Sequence, residues 1–316
     1  MANEGIAKVQ HYVPRFLLRH FGTGKKDSIH VFDKLTGAAF TTNVKNVAAE
    51  SRFYDYRVGG QGFTIEPSLS KLESLAKPII KSVLEADSLN SLSTEDRGKL
   101  SIFLAIQFIR TKSFRERFRE LPKQLEESLR RKEGPEADLS AISHLFKVPT
   151  DNEITQQTIH HMSRAEEYAV QFGNKLWVLI STDVRHPFLI SDNPIGLQNR
   201  IDHGLLGNIG LAIHGIEIYF PLSPRRALAM WCPTHEAMLL QAASAQGSHS
   251  FFHDVLRAMD SGAPLAYAPE FVRNFNSLQV GYAERFVFSA TNDFSLAREM
   301  IATHESYKTG PRSFVS

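Results

Sequence analysis

Apolar residues in the first 170 positions recur at three- and four-residue spacing, which predicts helices; beyond residue 175 they fall in short alternating or unbroken blocks, which predicts strands. Leu69, Leu72, Ala76, Ile80 and Val83 mark a helix over residues 66 to about 87, which Pro78 is expected to kink or divide. Ser93-Thr94-Glu95-Asp96 offers capping groups for a long helix running towards residue 131, with a break expected at Pro122. Another amphipathic helix is predicted over residues 153–172. Earlier in the chain, Pro14 presets a short helix through Phe16, Leu17 and Leu18 that ends near Gly22. Residues 28–32 and 38–42 flank Lys34-Leu35-Thr36-Gly37 as a β-hairpin. Residues 46–50 read as a capped helical turn, and Gly59-Gly60-Gln61-Gly62 as a loop.

In the second half, residues 175–180 and 187–190 read as strands around a polar turn, and residues 215–220 with 227–231 as a second pair. Helices return over residues 236–243, 251–259 and 269–282, before a strand at 285–288. The expected fold class is α+β, with a helical N-terminal half and its small hairpin packed on a β-rich C-terminal half with flanking helices. One domain over residues 1–316 is expected, with a weak subdivision near 133–150, where Gly134-Pro135 is the best linker.

Composition narrows the function classes. With 316 residues, 42% of them hydrophobic, the chain can bury a large core, so disorder is not the expectation. One cysteine, Cys232, excludes an internal disulfide framework and a thiolate-cluster metal site. The first residues lack a secretory pattern and no apolar run is long enough to span a bilayer, so a soluble cytoplasmic protein with no membrane partner is expected. A formal charge of +2 conceals local imbalance: residues 110–132 hold nine Lys/Arg against four Asp/Glu, while residues 133–153 are acidic. A polyanion can therefore still meet a basic face.

Several polar residues stand against the apolar pattern. Gln107 lies near the centre of the stripe formed by Leu100, Phe103, Leu104, Thr111, Phe114 and Phe118, and Arg110 and Arg117 flank it, facing an anion or a structural carboxylate. Glu66 and Glu73 share one flank of the preceding helix, suited to a divalent cation, to neutralising the arginines, or to a solvated face. His11, Arg15 and Arg19 make a basic cluster near a helix N-terminus, which suits phosphate or simply lies outside a pinned terminal segment. Ser191-Asp192-Asn193-Pro194 follows an apolar strand: local evidence favours an Asx-type turn, the alternative being a strand-end site that presents a carboxylate. His160-His161 point to different sides of a helix, and His214 and Glu217 fall on opposite faces of a strand; no zinc-protease spacing, P-loop or serine-hydrolase elbow occurs.

The string Gln10-His11-Tyr12-Val13-Pro14-Arg15-Phe16-Leu17-Leu18-Arg19-His20-Phe21 resembles the opening signature of domain-of-unknown-function family 4238. Later pieces are similar to that family as well: residues 46–50 before Phe53-Tyr54, Gln107 with Arg110-Thr111, residues 188–194, Pro221-Leu222-Ser223-Pro224, and residues 276–279 before Arg285-Phe286-Val287. One departure is Lys112, where relatives commonly carry proline; it is expected only to let the helix continue. The resemblance implies a role in bacterial antiphage defence, for which some members are known, with nucleic acid, nucleotide or a phage component as the target class. It also implies that His11, Arg15, Gln107, Arg110, Asp192 and Asn193 form one spatial site.

Two function classes follow. In the first, a metal-dependent nuclease or nucleotide hydrolase, Glu50, Glu73 and Asp192 hold Mg²⁺ or Mn²⁺, His11, Asp192 and Asn193 act catalytically, and Arg15, Gln107 and Arg110 bind substrate. In the second, a non-catalytic sensor or binding module recognises a phage component or nucleic acid, and the same polar residues fix the packing of the two halves. A third expectation, nucleic-acid binding through residues 110–132 with Arg130, Arg131 and Lys132 at its end, competes with an ordinary solvated helix face.

Overall fold

Pro14 holds φ at −57°, so the extended entry β1 (Val9–His11) turns directly into α1 (Arg15–His20), which buries Phe16, Leu17 and Leu18. The computed structural model describes residues 8–24, 26–203, 207, 209–246 and 250–311. β2 (Ser28–Asp33) and β3 (Ala39–Asn43) form the antiparallel hairpin that the pattern predicts. The capped turn expected at 46–50 is instead two elements. Asn43 caps a single 3₁₀ turn, Val44–Asn46, and β4 (Ala49–Ser51) pairs antiparallel with β1. Ala48 makes the difference: at φ +49° it leaves the helical region, and its carbonyl accepts from the Tyr12 and Val13 N–H groups. The glycine loop likewise proves to be a hairpin. β5 (Asp55–Val58) and β6 (Gln61–Thr64) meet through Gly59-Gly60, both at positive φ, which only a glycine-rich two-residue turn accommodates without strain.

α2 (Glu66–Ala86) runs through Pro78 undivided, because the stripe of Leu69, Ala76, Ile79, Ile80 and Val83 stays buried on both sides of it. The next boundary falls elsewhere than expected. α3 (Thr94–Ile109) ends at Arg110, and the Thr111 hydroxyl accepts from the Phe114 N–H at 3.3 Å to start α4 (Lys112–Glu133), which contains Pro122 without a break. Lys112 therefore occupies the first helical position, where proline also fits, rather than continuing α3. A capping box between Thr150 and Glu153 opens α5 (Asp151–Ser163), and Arg164 separates it from α6 (Ala165–Gly173), which packs along α3.

The second half supplies β7 (Leu176–Ser181), β8 (Ile190–Ser191), β9 (Gly196–Asn199), β10 (Ile216–Ser223), β11 (Arg226–Trp231), α7 (Thr234–Gln246), α8 (Phe251–Ser261), β12 (Leu265–Ala266), α9 (Pro269–Tyr282), β13 (Phe286–Ser289) and α10 (Ser295–Thr303). One sheet has the order β12-β7-β11-β10-β9 and is antiparallel except for β12 on β7. A second has the order β3-β2-β13-β8, so strands from both ends of the chain share it. Residues 187–190 do not pair with β7 as expected. The Phe188 N–H bonds to the Pro224 carbonyl and the Leu189 N–H to Asn276 Oδ1, which leaves only Ile190 and Ser191 to pair, with β13. The architecture is thus α+β, with the helices α2, α3 and α6 gathered against one core that includes Tyr12, Leu17, Phe103, Phe172 and Phe220. Among the described residues no helix is long and apolar enough to cross a membrane.

Candidate anion-binding site

The carbonyls of His11 and Tyr12 point inward where β1 meets Pro14, and the α3–α4 break delivers donors to them. Gln107 Nε2 donates to Tyr12 O at 2.9 Å; Arg110 Nε donates to Tyr12 O at 3.1 Å and Nη2 to His11 O at 2.8 Å. The same Nη2 meets Glu73 Oε1 at 2.7 Å, although the Arg110 side chain is wholly buried. From the opposite side, the Tyr54 hydroxyl donates to His11 O at 3.3 Å, while Gln10 accepts from the Tyr54 N–H at 2.6 Å and donates to Asp55 at 2.9 Å. Four expected site residues, His11, Glu73, Gln107 and Arg110, are therefore together, but their hydrogen bonds go mainly to backbone. Arg117 does not pair with Arg110; it lies over the rings of Phe108 and Phe114 at 5.5 and 5.6 Å. Arg15 is exposed, Arg19 pairs with Asp27 at 2.9 Å, and Glu50 pairs with Lys112 at 2.9 Å.

This cluster carries two displaced titrations. Burial, helped by Arg15 and Arg110, lowers His11 to about 4, so its ring is neutral at physiological pH. Burial raises Glu66 to about 7 against the opposing pull of Arg110. The signs differ. A carboxyl held above its ordinary value stabilises the fold as pH falls, so wild type should gain stability relative to Glu66→Gln between about pH 7 and pH 5. An imidazole held below its ordinary value does the reverse, so wild type should lose stability relative to His11→Gln between about pH 6.5 and pH 4. Thermal midpoints of the three proteins across pH 4–8 check both slopes, and parallel curves would remove them.

Asp192 and Asn193 belong to a second clamp. Asp192 accepts the N–H groups of Glu284, Arg285 and Phe286 at 2.7, 2.8 and 2.8 Å, holding the turn from α9 into β13. Asn193 donates to Tyr282 O at 3.0 Å, and Ser191 donates to Asn193 O at 2.9 Å and to Gln279 at 3.1 Å. Burial lifts Asp192 to about 6 despite the three N–H bonds and Lys34. The six signature residues thus split into two clamps and an exposed arginine. Tyr12 is common to both: its carbonyl takes the Gln107 and Arg110 hydrogen bonds, and the charge of Asp192 acts on its phenol. Glu50, Glu73 and Asp192 are each committed to a different partner, and among the described residues no three His, Cys, Asp or Glu side chains are grouped to hold a metal.

Beside the first clamp lies a cleft of about 600 Å³, walled by residues 50–57, the β5–β6 hairpin, the first two turns of α4 and the start of α5. Its walls are fixed to each other: Asn152 accepts from the Arg57 N–H at 2.7 Å, and Gln156 donates to Arg57 O at 2.6 Å. The basic side chains in it differ in their partners. Lys112 is taken by Glu50, Arg52 lies 3.8 Å from Asp55, and Arg119 binds both Glu116 and Asp151. Arg115 has no such partner. It is 7% exposed, its side chain forms no hydrogen bond to any described residue, and its Nε and Nη2 are fully buried. Its guanidinium stacks 3.6 Å from the centre of the Phe53 ring and 5.6 Å from that of Tyr54.

Such an arrangement is unfavourable when empty. A buried unpaired cation costs several kcal/mol, and stacking on aromatic faces offsets about 2 kcal/mol of it. Burial lowers Arg115 to about 10, so it remains charged at neutral pH and favours an arriving anion. Arg57, exposed and without an ion-pair partner among the described residues, and the Tyr56–Phe63 ring pair at 5.6 Å complete a cationic and aromatic rim. Sequence reasoning did not single out Arg115, Arg57 or Tyr56. The available signal was periodicity: Arg115 adjoins Phe114 on the inward side of an amphipathic helix, where an arginine needs a reason to be.

The model of the family described as "Protein of unknown function (DUF4238)" matches residues 9–293. No curated protein and no solved structure matches the chain.

Proposed function

The chain belongs to this family, and from that premise we propose that it is a non-catalytic recognition module for a phosphate-bearing ligand, a nucleotide or a nucleic-acid end, seated over Arg115. The observation that carries the reading is a buried guanidinium with no hydrogen-bond acceptor at the wall of a cleft large enough for a nucleotide. Arginine presents its donors as a planar fork that matches phosphate oxygens, and Arg57 adds a second charge at the rim. The ring pair Tyr56–Phe63 offers a face on which a base can stack. The family resemblance supports reading this recognition as part of antiphage defence, with the ligand reporting infection.

The nuclease reading has less behind it, because its three proposed metal carboxylates are engaged by Lys112, Arg110 and backbone N–H groups. Calorimetric titration with ATP, inorganic tripolyphosphate and a 5′-phosphorylated oligonucleotide separates the classes. The expected result is saturable binding that weakens as salt rises, with every probe recovered intact in the presence of Mg²⁺. Binding by none of them removes the proposal, and hydrolysis of any of them replaces it with an enzyme.

A further inference from the structure

A second cavity, of about 260 Å³, lies between the five-stranded sheet and the helices α7, α8 and α9. Strand register builds it. Glu217 on β10 stands opposite Trp231 on one side and Gln198 on the other, and two residues along, Tyr219 stands between Ala229 and Gly196. Residues in these two rows share a face of the sheet, so Glu217, Tyr219 and Trp231 line the cavity together. Phe271 and Phe275 on α9 close the cavity with aromatic surface, Phe275 meeting the Tyr219 ring edge-on at 5.8 Å.

Two polar atoms in this apolar chamber are left over. Glu217, 8% exposed, takes hydrogen bonds from Gln198 at 2.5 Å and from the Tyr219 hydroxyl at 2.7 Å, both on Oε2. Its Oε1 is ion-paired with Arg200 Nε at 3.6 Å, beyond hydrogen-bonding range, and takes no hydrogen bond from the described residues. Trp231, also 8% exposed, carries a buried indole N–H that makes no well-aligned hydrogen bond among the described residues, although the Tyr219 hydroxyl lies near it. The chamber thus holds an acceptor whose ion-pair partner is an exposed arginine and a donor without a well-aligned hydrogen bond, on neighbouring strands and inside aromatic walls.

We infer that this chamber is a binding site for a small planar heterocycle of the nucleobase class, its N–H donor on Glu217 Oε1 and its adjacent ring acceptor or carbonyl on Trp231 Nε1. A donor beside an acceptor on a flat ring is the edge that every nucleobase presents, and the rings around it supply stacking surface. The volume lies just below the range for drug-sized ligands, which limits the occupant to one small ring system. A quaternary ammonium would also suit aromatic walls, but Arg200 beside Glu217 opposes a cation there. The site stands apart from the Arg115 cleft and does not depend on it.

The test follows the two indole N–H signals by NMR while unphosphorylated guanosine, adenosine and uridine are titrated in. Trp177, whose indole already donates to Phe172 O at 2.9 Å, serves as the internal control. At least one nucleoside should move the Trp231 signal saturably and leave Trp177 in place. Trp231→Phe should weaken that nucleoside at least tenfold, and Arg115→Met should leave its affinity unchanged. An unmoved Trp231 signal at millimolar nucleoside overturns the inference, as does a shift produced by tetramethylammonium and by no nucleoside.

Discussion

Asp192→Ala should cost about 4 kcal/mol of stability, about a quarter to four fifths of a typical folding margin of about 5–15 kcal/mol. The carboxylate is the acceptor for three consecutive backbone N–H groups, and alanine would leave all three buried without one. Each orphaned donor costs about 1–3 kcal/mol, less than additively because the turn can relax. Asp192→Asn should cost less, about 2 kcal/mol, since one oxygen remains while the amide nitrogen faces a donor. Both values are read from urea unfolding followed by circular dichroism. A change below about 0.5 kcal/mol for both variants would mean that Asp192 is not a structural clamp, and would return it to the list of catalytic candidates.

The same logic explains what the sequence revealed and what it hid. Gln10, Gln107, Arg110, Asp192 and Asn193 belong to stretches that resemble a family signature, and each directs side-chain hydrogen bonds to backbone of a distant segment. The resemblance reads Gln107, Arg110, Asp192 and Asn193 as parts of one site; the folded chain uses all five in two clamps. Periodicity found the α+β division, the hairpin β2–β3 and the pair β10–β11, because in each the apolar pattern and the turn chemistry agree. It misplaced the α3–α4 boundary because proline at 122 is a stronger local signal than Thr111, whose hydroxyl cap shows only once Phe114 is in place. β4 escaped, and the strand expected at 187–190 is reduced to β8 with another partner, because tertiary hydrogen bonds, not propensity, define them. The basic stretch 110–132 resolves into ordinary helix-surface pairs, Lys123–Glu120 and Arg130–Glu126, the buried Arg110 of the first clamp, and one further inward arginine whose side chain has no hydrogen bond, Arg115.

That arginine carries the larger expectation for function. In Arg115→Met the side chain keeps most of its length against Phe53 but loses the charge, so folding no longer buries an unpaired guanidinium. Stability should hold or rise by about 1 kcal/mol, the balance of several kcal/mol of desolvation against the stacking lost. Binding should move the opposite way. Removing one partner of a desolvated charge-assisted contact costs about 2–5 kcal/mol, and 2 kcal/mol is already about a 30-fold loss of affinity. A stabilising substitution that abolishes binding is the mark of a side chain held for a ligand, because a side chain held for the fold gives the reverse.

The most direct test is therefore a paired measurement on wild type and Arg115→Met: calorimetric titration with tripolyphosphate, and the thermal midpoint of each free protein. Tripolyphosphate carries no base, so it reports the Arg115 cleft and not the aromatic chamber. The account predicts at least a 30-fold weaker affinity in the variant with an equal or higher midpoint. Equal affinity in the two proteins, with the variant clearly less stable, would contradict it and leave Arg115 as a packing residue.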